Sequence, residues 1–329
     1  MPEKHAPLHG SLLALLAFAL FALHDVAVKL LGGAYAVYQV VFFSTLLMFP
    51  LVVMMLLRDA EAGTLRPRHP WWSALRTAAS VATALCVFYA FATLPLTQTY
   101  AIIFAMPLLI TILSIPVLGE RVGLHRGAAV VAGLAGVMVV IRPGAVPLEM
   151  GHLAAVAGAF CSALSSVIVR KIGREERTAV LMLYPMVANV AVMACVMPFV
   201  YRPMPLPDLG LWAMMAGLAF VASLLMIEAY RRSDAVLVAP MQYSQILWAA
   251  LYGWLVFGEG VDGATALGAA IIILSGLYIL WREGRGRSDT TPVLRTRTRA
   301  ETGTAPRLSP LLSDAARAVN VRPPARGPA

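Results

Sequence analysis

Apolar residues in this chain fall in long unbroken runs separated by short polar segments, not in the alternation of a half-buried strand or the stripe of a surface helix. Ten of these runs approach the length of about 20 residues that a helix needs to cross a bilayer. They are Leu8–Leu31, Tyr35–Leu57, Trp71–Leu94, Gln98–Leu118, Leu124–Ile141, Met150–Val169, Thr178–Val200, Leu211–Tyr230, Val236–Phe257 and Thr265–Trp281, the fifth and tenth being shortest. The first run follows Lys4 as a signal peptide would, but it continues to Leu31 without a small-residue cleavage site, so it is expected to remain as the first helix. The expected class is all-α integral membrane.

The runs repeat. PVLGERVGLHRGAAVVAGLAGVMVVIR and WLVFGEGVDGATALGAAIIILSGLYILW align without gaps near Gly119-Glu120 and Gly258-Glu259, an offset of 139 residues. Each Gly-Glu pair lies between the fourth and fifth span of its half. Five is odd, so the second half is turned over relative to the first, and Glu120 and Glu259 are expected at opposite faces. Ten helices arranged as two inverted five-helix repeats is the design that exposes one midplane site to either side of a membrane. The expected units are residues 1–142, residues 149–283 and a tail, 284–329. At the two glutamates themselves the local reading suffices: each carboxylate opens a helix, where the macrodipole favours negative charge, and each glycine closes the preceding one.

Composition agrees with a lipid environment, with 60% hydrophobic and 13% charged residues and a mean hydropathy of +0.77. Charge adds orientation. Alternate loops and the two ends hold 22 of the 26 basic residues, whereas the opposite loops hold only Arg142 and Arg202. Cytoplasmic loops retain positive charge, so both termini are expected in the cytoplasm of a cell with a bacterial-type inner membrane. Trp71, Trp72, Trp212, Trp254 and Trp281 fall near span ends, as residues of the headgroup boundary do. From Gly284 onward nine arginines stand against Asp289, Glu301 and Asp314 among Pro, Thr and Ser, a composition expected to stay disordered and to fix topology. Cys86, Cys161 and Cys195 lie within apolar runs and show no metal or disulfide spacing. Neither a metal, a cofactor nor a nucleic-acid partner is expected.

The Gly-Glu pairs, the blocks PLLITILSIPVLGERV and APMQYSQILWAALYGWLVFGE, and HDVAVKLL in the first span resemble the drug/metabolite transporter superfamily, EamA type, over roughly Leu8 to Arg282. The resemblance implies a ten-helix carrier with a central cavity lined from both halves and the fifth helix of each half at the periphery. Its members carry amino acids, S-adenosylmethionine, riboflavin and other solutes. One departure is that many relatives place Arg after the aromatic pair of the second span, where this chain has Ser44 after Phe42-Phe43.

Ionisable and amide side chains within a bilayer are expensive and point inward. Asp25 and Lys29 stand four apart on one face of the first span, where an acid and base can pair. Two readings are open: a switchable pair at the solute path or outer entrance, and an internally neutralised structural pair. His24 lies about 100° around that helix and need not join it. In the ninth span Gln242, Gln245, Trp248 and Tyr252 follow helical steps onto one face, which suits a planar or aromatic solute or, alternatively, contacts between helices. Tyr89 and Tyr100 are further cavity candidates. Arg76 is expected to extend to the headgroups. Pro107 and Pro240 are hinge candidates, because proline removes a backbone bond and bends a helix. Ala128, Ala132 and Gly136 are read as a close-packing face.

The leading expectation is a secondary carrier of a small organic solute, with membrane lipids as surroundings and a proton or other ion as a candidate coupling partner. No GxxxxGK[ST] loop is present to use ATP. The competing expectation is a membrane enzyme acting on a lipid or polyprenyl substrate, for which clustered acids or histidines would be needed. The carboxylates here are scattered singly.

Overall fold

The computed structural model describes residues 7–57, 65–120, 122–144, 147–173, 175–232 and 238–285. The basic tail from 286 onward, Lys4, the Arg58 loop, Arg121, Arg174 and the start of the expected ninth span at Val236 lie outside them, as does the side chain of Trp281. The helices are α1 (Pro7–Ala34), α2 (Val37–Leu57), α3 (Pro70–Thr93), α4 (Leu96–Ile103), α5 (Met106–Leu118), α6 (Leu124–Ile141), α7 (Met150–Ile172), α8 (Thr178–Val200) and α9 (Leu206–Arg232). A 3-10 turn, Ala239–Tyr243, then leads into α10 (Ser244–Phe257), and α11 (Gly263–Arg285) follows. Seven of the described helices are long and apolar enough to cross a membrane, with α4 and α5 counted together as Leu96–Leu118. The shorter apolar stretches Val37–Pro50 and Gly263–Ile279 lie in α2 and α11. With the turn and α10 as the ninth, they make the ten spans expected from hydropathy.

Two spans are broken, and the chemistry of the first break is local. Pro107 has no N–H to offer the carbonyl of Ile103, and α4 ends at that residue. Phe104 and Ala105 tighten into a turn, with the Ala105 N–H donating to the Ile102 carbonyl at 3.0 Å. In the ninth span Pro240 opens the 3-10 turn and regular α-helix resumes at Ser244. The two breaks obey the offset of 139 residues, since Phe104 corresponds to Tyr243. Those two rings touch, with centroids 5.5 Å apart. A residue that meets its own counterpart marks the axis relating the halves.

Packing follows the same axis. The first span of each half lies along the third of the other, α1 on α9 and α7 on α3. The fourth of each lies on the first of the other, α5 on α7 and α10 on α1, while α2 meets α8 and α6 meets α11. The α6–α11 contact is close because a Cβ at Gly136 would come within 2.9 Å of the Gly268 carbonyl oxygen. The expected small-residue face of α6 is therefore corrected by about one residue. Gly136 is on it, but Ala128 and Ala132 are exposed, and Ala129, Gly133 and Val137 are the residues turned inward.

Loop contacts separate two faces. On one, the Tyr35 hydroxyl donates to Asp208, and that hydrogen bond, then burial, then the Asp208 charge push the tyrosine pKa up to about 12. Gln39 exchanges bonds with the backbone of Arg202, and Arg142 pairs with Asp262. On the other face, His69 meets Glu175 at 2.7 Å. Trp212 also differs from expectation. It is near the start of α9 but buried in the bundle, with Tyr35 and Phe43 packed on its ring. Trp71 and Trp254 are exposed near helix ends, as boundary residues should be.

Candidate functional site

Gly119 and Gly258 end α5 and α10 with φ of 71° and 66°, the left-handed region that favours glycine. In both, the N–H of the following glutamate folds back to a carbonyl six residues earlier, Glu120 to Ser114 at 3.3 Å and Glu259 to Gly253 at 3.0 Å. This is one capping geometry used twice. It aims each carboxylate across the bundle at the first span of the other half.

Glu120 accepts from Arg170 in the last turn of α7. The adjacent Lys171 donates to the Val117 carbonyl at 2.8 Å and lies 4.3 Å from the Trp72 ring centroid. At the opposite face Glu259 accepts from Lys29 of α1 with Oε1 and from the Leu96 N–H, at 3.0 Å, with Oε2. Lys29 also donates to the Leu94 carbonyl at 2.7 Å and lies 4.9 Å from the Phe257 ring centroid. One carboxylate thus ties together α1, α4 and the end of α10. Sequence reading treated these glutamates as local helix-end charges and missed the pairs. The signal that could have found them is the repeat itself, since a cation near the end of the first span recurs in both halves.

The expected Asp25–Lys29 pair is not formed. Lys29 is held by Glu259, and Asp25, which is 1% exposed, is bonded elsewhere. Its Oδ1 lies 2.8 Å from Nδ1 of His24, and its Oδ2 accepts the Tyr100 hydroxyl of α4. Gln245 of α10 donates to that hydroxyl at 3.4 Å. His24 is a buried histidine satisfied by its neighbour in sequence, Asp25, and through that carboxylate, whose other oxygen takes Tyr100, it joins the network. Phe91 and Phe104 pack on the Tyr100 ring at 5.1 and 5.8 Å. The result is a buried chain, His24–Asp25–Tyr100–Gln245, that crosses from the first half to the second beside the broken spans.

The ninth-span stripe is divided by the 3-10 turn. Gln242 lies half-buried within that turn, so it does not continue the α10 face as the spacing implied. Gln245 is buried on Tyr100, while Trp248 and Tyr252 stack with centroids 6.1 Å apart. The Trp248 Nε1–H is buried with no acceptor among the described residues. Tyr89 is 38% exposed on α3. Arg76 does not reach the headgroups. It is buried and donates to the Leu181 carbonyl of α8, because it lies on the inward face of α3 with Ser73 and Ser80, while Trp71 and Leu75 on the other side of that helix are exposed.

Known proteins share this architecture. The model of the EamA-like transporter family matches twice, at residues 8–142 and 149–281. The riboflavin transporter of Vibrio cholerae is 28% identical, covering 88% of this chain and 99% of that one. The S-adenosylmethionine uptake transporter of Rickettsia bellii is 24% identical over 80% of this chain and 91% of its own. The pseudopaline exporter of Pseudomonas aeruginosa is 24% identical, covering 81% and 94%. A solved crystal structure superposes with a TM-score of 0.57 at 22% identity, covering 84% of this chain and 99% of that chain.

Proposed function

Because the chain belongs to the EamA-like transporter family, we propose that it is a secondary carrier moving a small organic metabolite across a bacterial inner membrane by alternating access. Membership places it among transporters, and the reading as a lipid-modifying enzyme is left without support. The observation that carries the proposal is the pair of latches. One capping motif, repeated by an inverted duplication, ties the fourth span of each half to the first span of the other, once at each face. Releasing one latch while the other holds would open the bundle to one side at a time, as the inverted-repeat design requires.

Residues 1–142 and 149–283 are the two repeats in this reading, and 284–329 is a cytoplasmic tail. Both termini face the cytoplasm, so the Glu259 latch closes the outer side. The solute path runs past Gln245, Trp248 and Tyr252, with Asp25, Lys29 and Tyr100 beside it and Gln242 and Tyr89 further off. Pro107 and Pro240 mark its hinges. Named relatives carry riboflavin and S-adenosylmethionine, each with a planar heterocycle, and the stacked Trp248–Tyr252 pair with its buried indole N–H suits a solute of that shape.

Purified protein in liposomes should move one of a panel containing riboflavin, S-adenosylmethionine, amino acids and nucleosides. Gln245→Ala or Trp248→Ala should lower that flux without lowering membrane abundance, and normal flux in both would remove the stripe from the path. No flux for any solute, with turnover of a lipid, would sink the carrier reading. A cysteine placed at Asp262 should be labelled from the periplasm and one at Thr64 should not. The reverse result would turn the molecule over.

A further inference from the structure

Asp25 and Lys29 are one helical turn apart on α1, yet each is bound to something else. Four residues of helix rise about 6 Å, and an acid so placed before a lysine is within its reach. Lys29 therefore has two carboxylates available, Glu259 across the bundle and Asp25 on its own helix. It holds Glu259 here. The network around Asp25 is almost wholly buried, and with Lys29 turned away a proton can balance its charge, either by making His24 an imidazolium or by making Asp25 a neutral acid. An unneutralised carboxylate in that position would carry a heavy desolvation cost.

From this geometry, and resting on the carrier reading above, we propose that His24, Asp25 and Tyr100 form a proton-binding site at which the proton and Lys29 compete for Asp25. With the Glu259 face open, Lys29 neutralises Asp25. A proton arriving from that face adds to the His24–Asp25 pair, giving the imidazolium or the carboxylic acid. The Lys29 ammonium, unchanged in charge, is displaced to Glu259, and the end of α10 is drawn onto α1 and α4. Proton loading thus closes the latch at that face. The structure corresponds to the loaded, latched arrangement. Tyr100 donates to Oδ2 in either proton position, and Gln245 reports the event to α10 through the Tyr100 hydroxyl.

Among the described side chains, the surrounding ionisable groups leave Lys29 as the competitor. On α3, Arg76 binds the Leu181 carbonyl about 20 Å along the bundle from Asp25, and Cys86 and Tyr89 carry no cation. On α9, Asp208 is held by Tyr35, while Glu228 and Tyr230 lie near the far end. Among the described side chains the other ionisable groups of these elements include His9 at the start of α1, Tyr38 of α2, Tyr243 of the turn and Tyr252 of α10, with Glu259 beyond α10.

The test is an infrared titration of the full chain in lipid bilayers, without any solute. A protonated-carboxyl band lost in Asp25→Asn, or an imidazolium band lost in His24→Gln, identifies the proton. In Lys29→Gln that band should persist to a pH about one unit or more higher than in wild type, because the competitor is gone. In Glu259→Gln it should vanish about one unit or more lower, because Lys29 then stays on Asp25. A band unmoved by both latch substitutions, or no such band in wild type, overturns the proposal. Should Asp25→Asn fail to fold, the opposite shifts of the two latch variants carry the result alone. In proteoliposomes, riboflavin or S-adenosylmethionine flux indifferent to an imposed pH gradient overturns the coupling but keeps the carrier. Absence of flux for every solute sinks the carrier and leaves the titration to judge the proton site.

Discussion

The two latches use the same glycine cap and the same carboxylate but different cations, and the difference divides their roles. At the Glu120 face an arginine, 5% exposed at its side chain, holds the glutamate. A second cation, Lys171, braces the end of α5 by its bond to Val117 and its contact with Trp72. At the Glu259 face a single lysine serves both the glutamate and a backbone carbonyl. Guanidinium is planar and fixed in its geometry, whereas an ammonium is a compact charge on a flexible stem that changes partners readily. The Glu120 latch is built to hold and the Glu259 latch to exchange.

The largest effect that would test this contrast is on stability. Glu120→Gln removes the carboxylate from a buried arginine and should cost about 3–5 kcal/mol, read as a lowered unfolding midpoint in detergent. Glu259→Gln should cost less than half of that, about 1–2 kcal/mol, because Lys29 keeps the Leu94 carbonyl and can turn to Asp25. Equal losses would erase the distinction. Lys29→Arg is expected to leave stability within about 0.5 kcal/mol but to slow solute flux several-fold, since a fork-shaped cation releases Glu259 less easily. Faster flux would reverse the assignment. The smallest effect on flux is expected from Phe257→Leu, which removes a ring beside Lys29 and should cost about 0.5–1 kcal/mol of stability with flux nearly unchanged.

Legibility in the sequence followed the range of the interaction. Spans are set by local hydropathy, and the offset of 139 residues read from Gly-Glu extended without adjustment to the starts of α6 and α11 and to the breaks at Phe104 and Tyr243. What failed were partners chosen in three dimensions. The spacing of Asp25 and Lys29 is a valid helical pair, but Glu259, 230 residues away, outbids it for the lysine. Trp212 has the position of a boundary residue and is covered by Tyr35 and Phe43 from segments no periodicity connects to it. The α6 packing face was off by about 100°, one residue of helix, because Ala128 and Ala129 are equally small and only the neighbour decides which is buried. In the ninth span the 3-10 turn removed Gln242 from a face that regular spacing had assigned it.

The contact between Phe104 and Tyr243 bears on ancestry as much as on architecture. In a dimer of two identical five-helix subunits, a residue on the twofold axis can only face its own copy, so every change there is made twice at once. Joining the copies into one chain lifts that bond. The two positions on the axis now differ by a single hydroxyl, and that hydroxyl fills the space beside Gly276 that any side chain at 276 would occupy. Fusion lets one half of a symmetric machine acquire a feature the other lacks, and asymmetry of that kind is what a carrier needs if its two faces are to answer to different conditions.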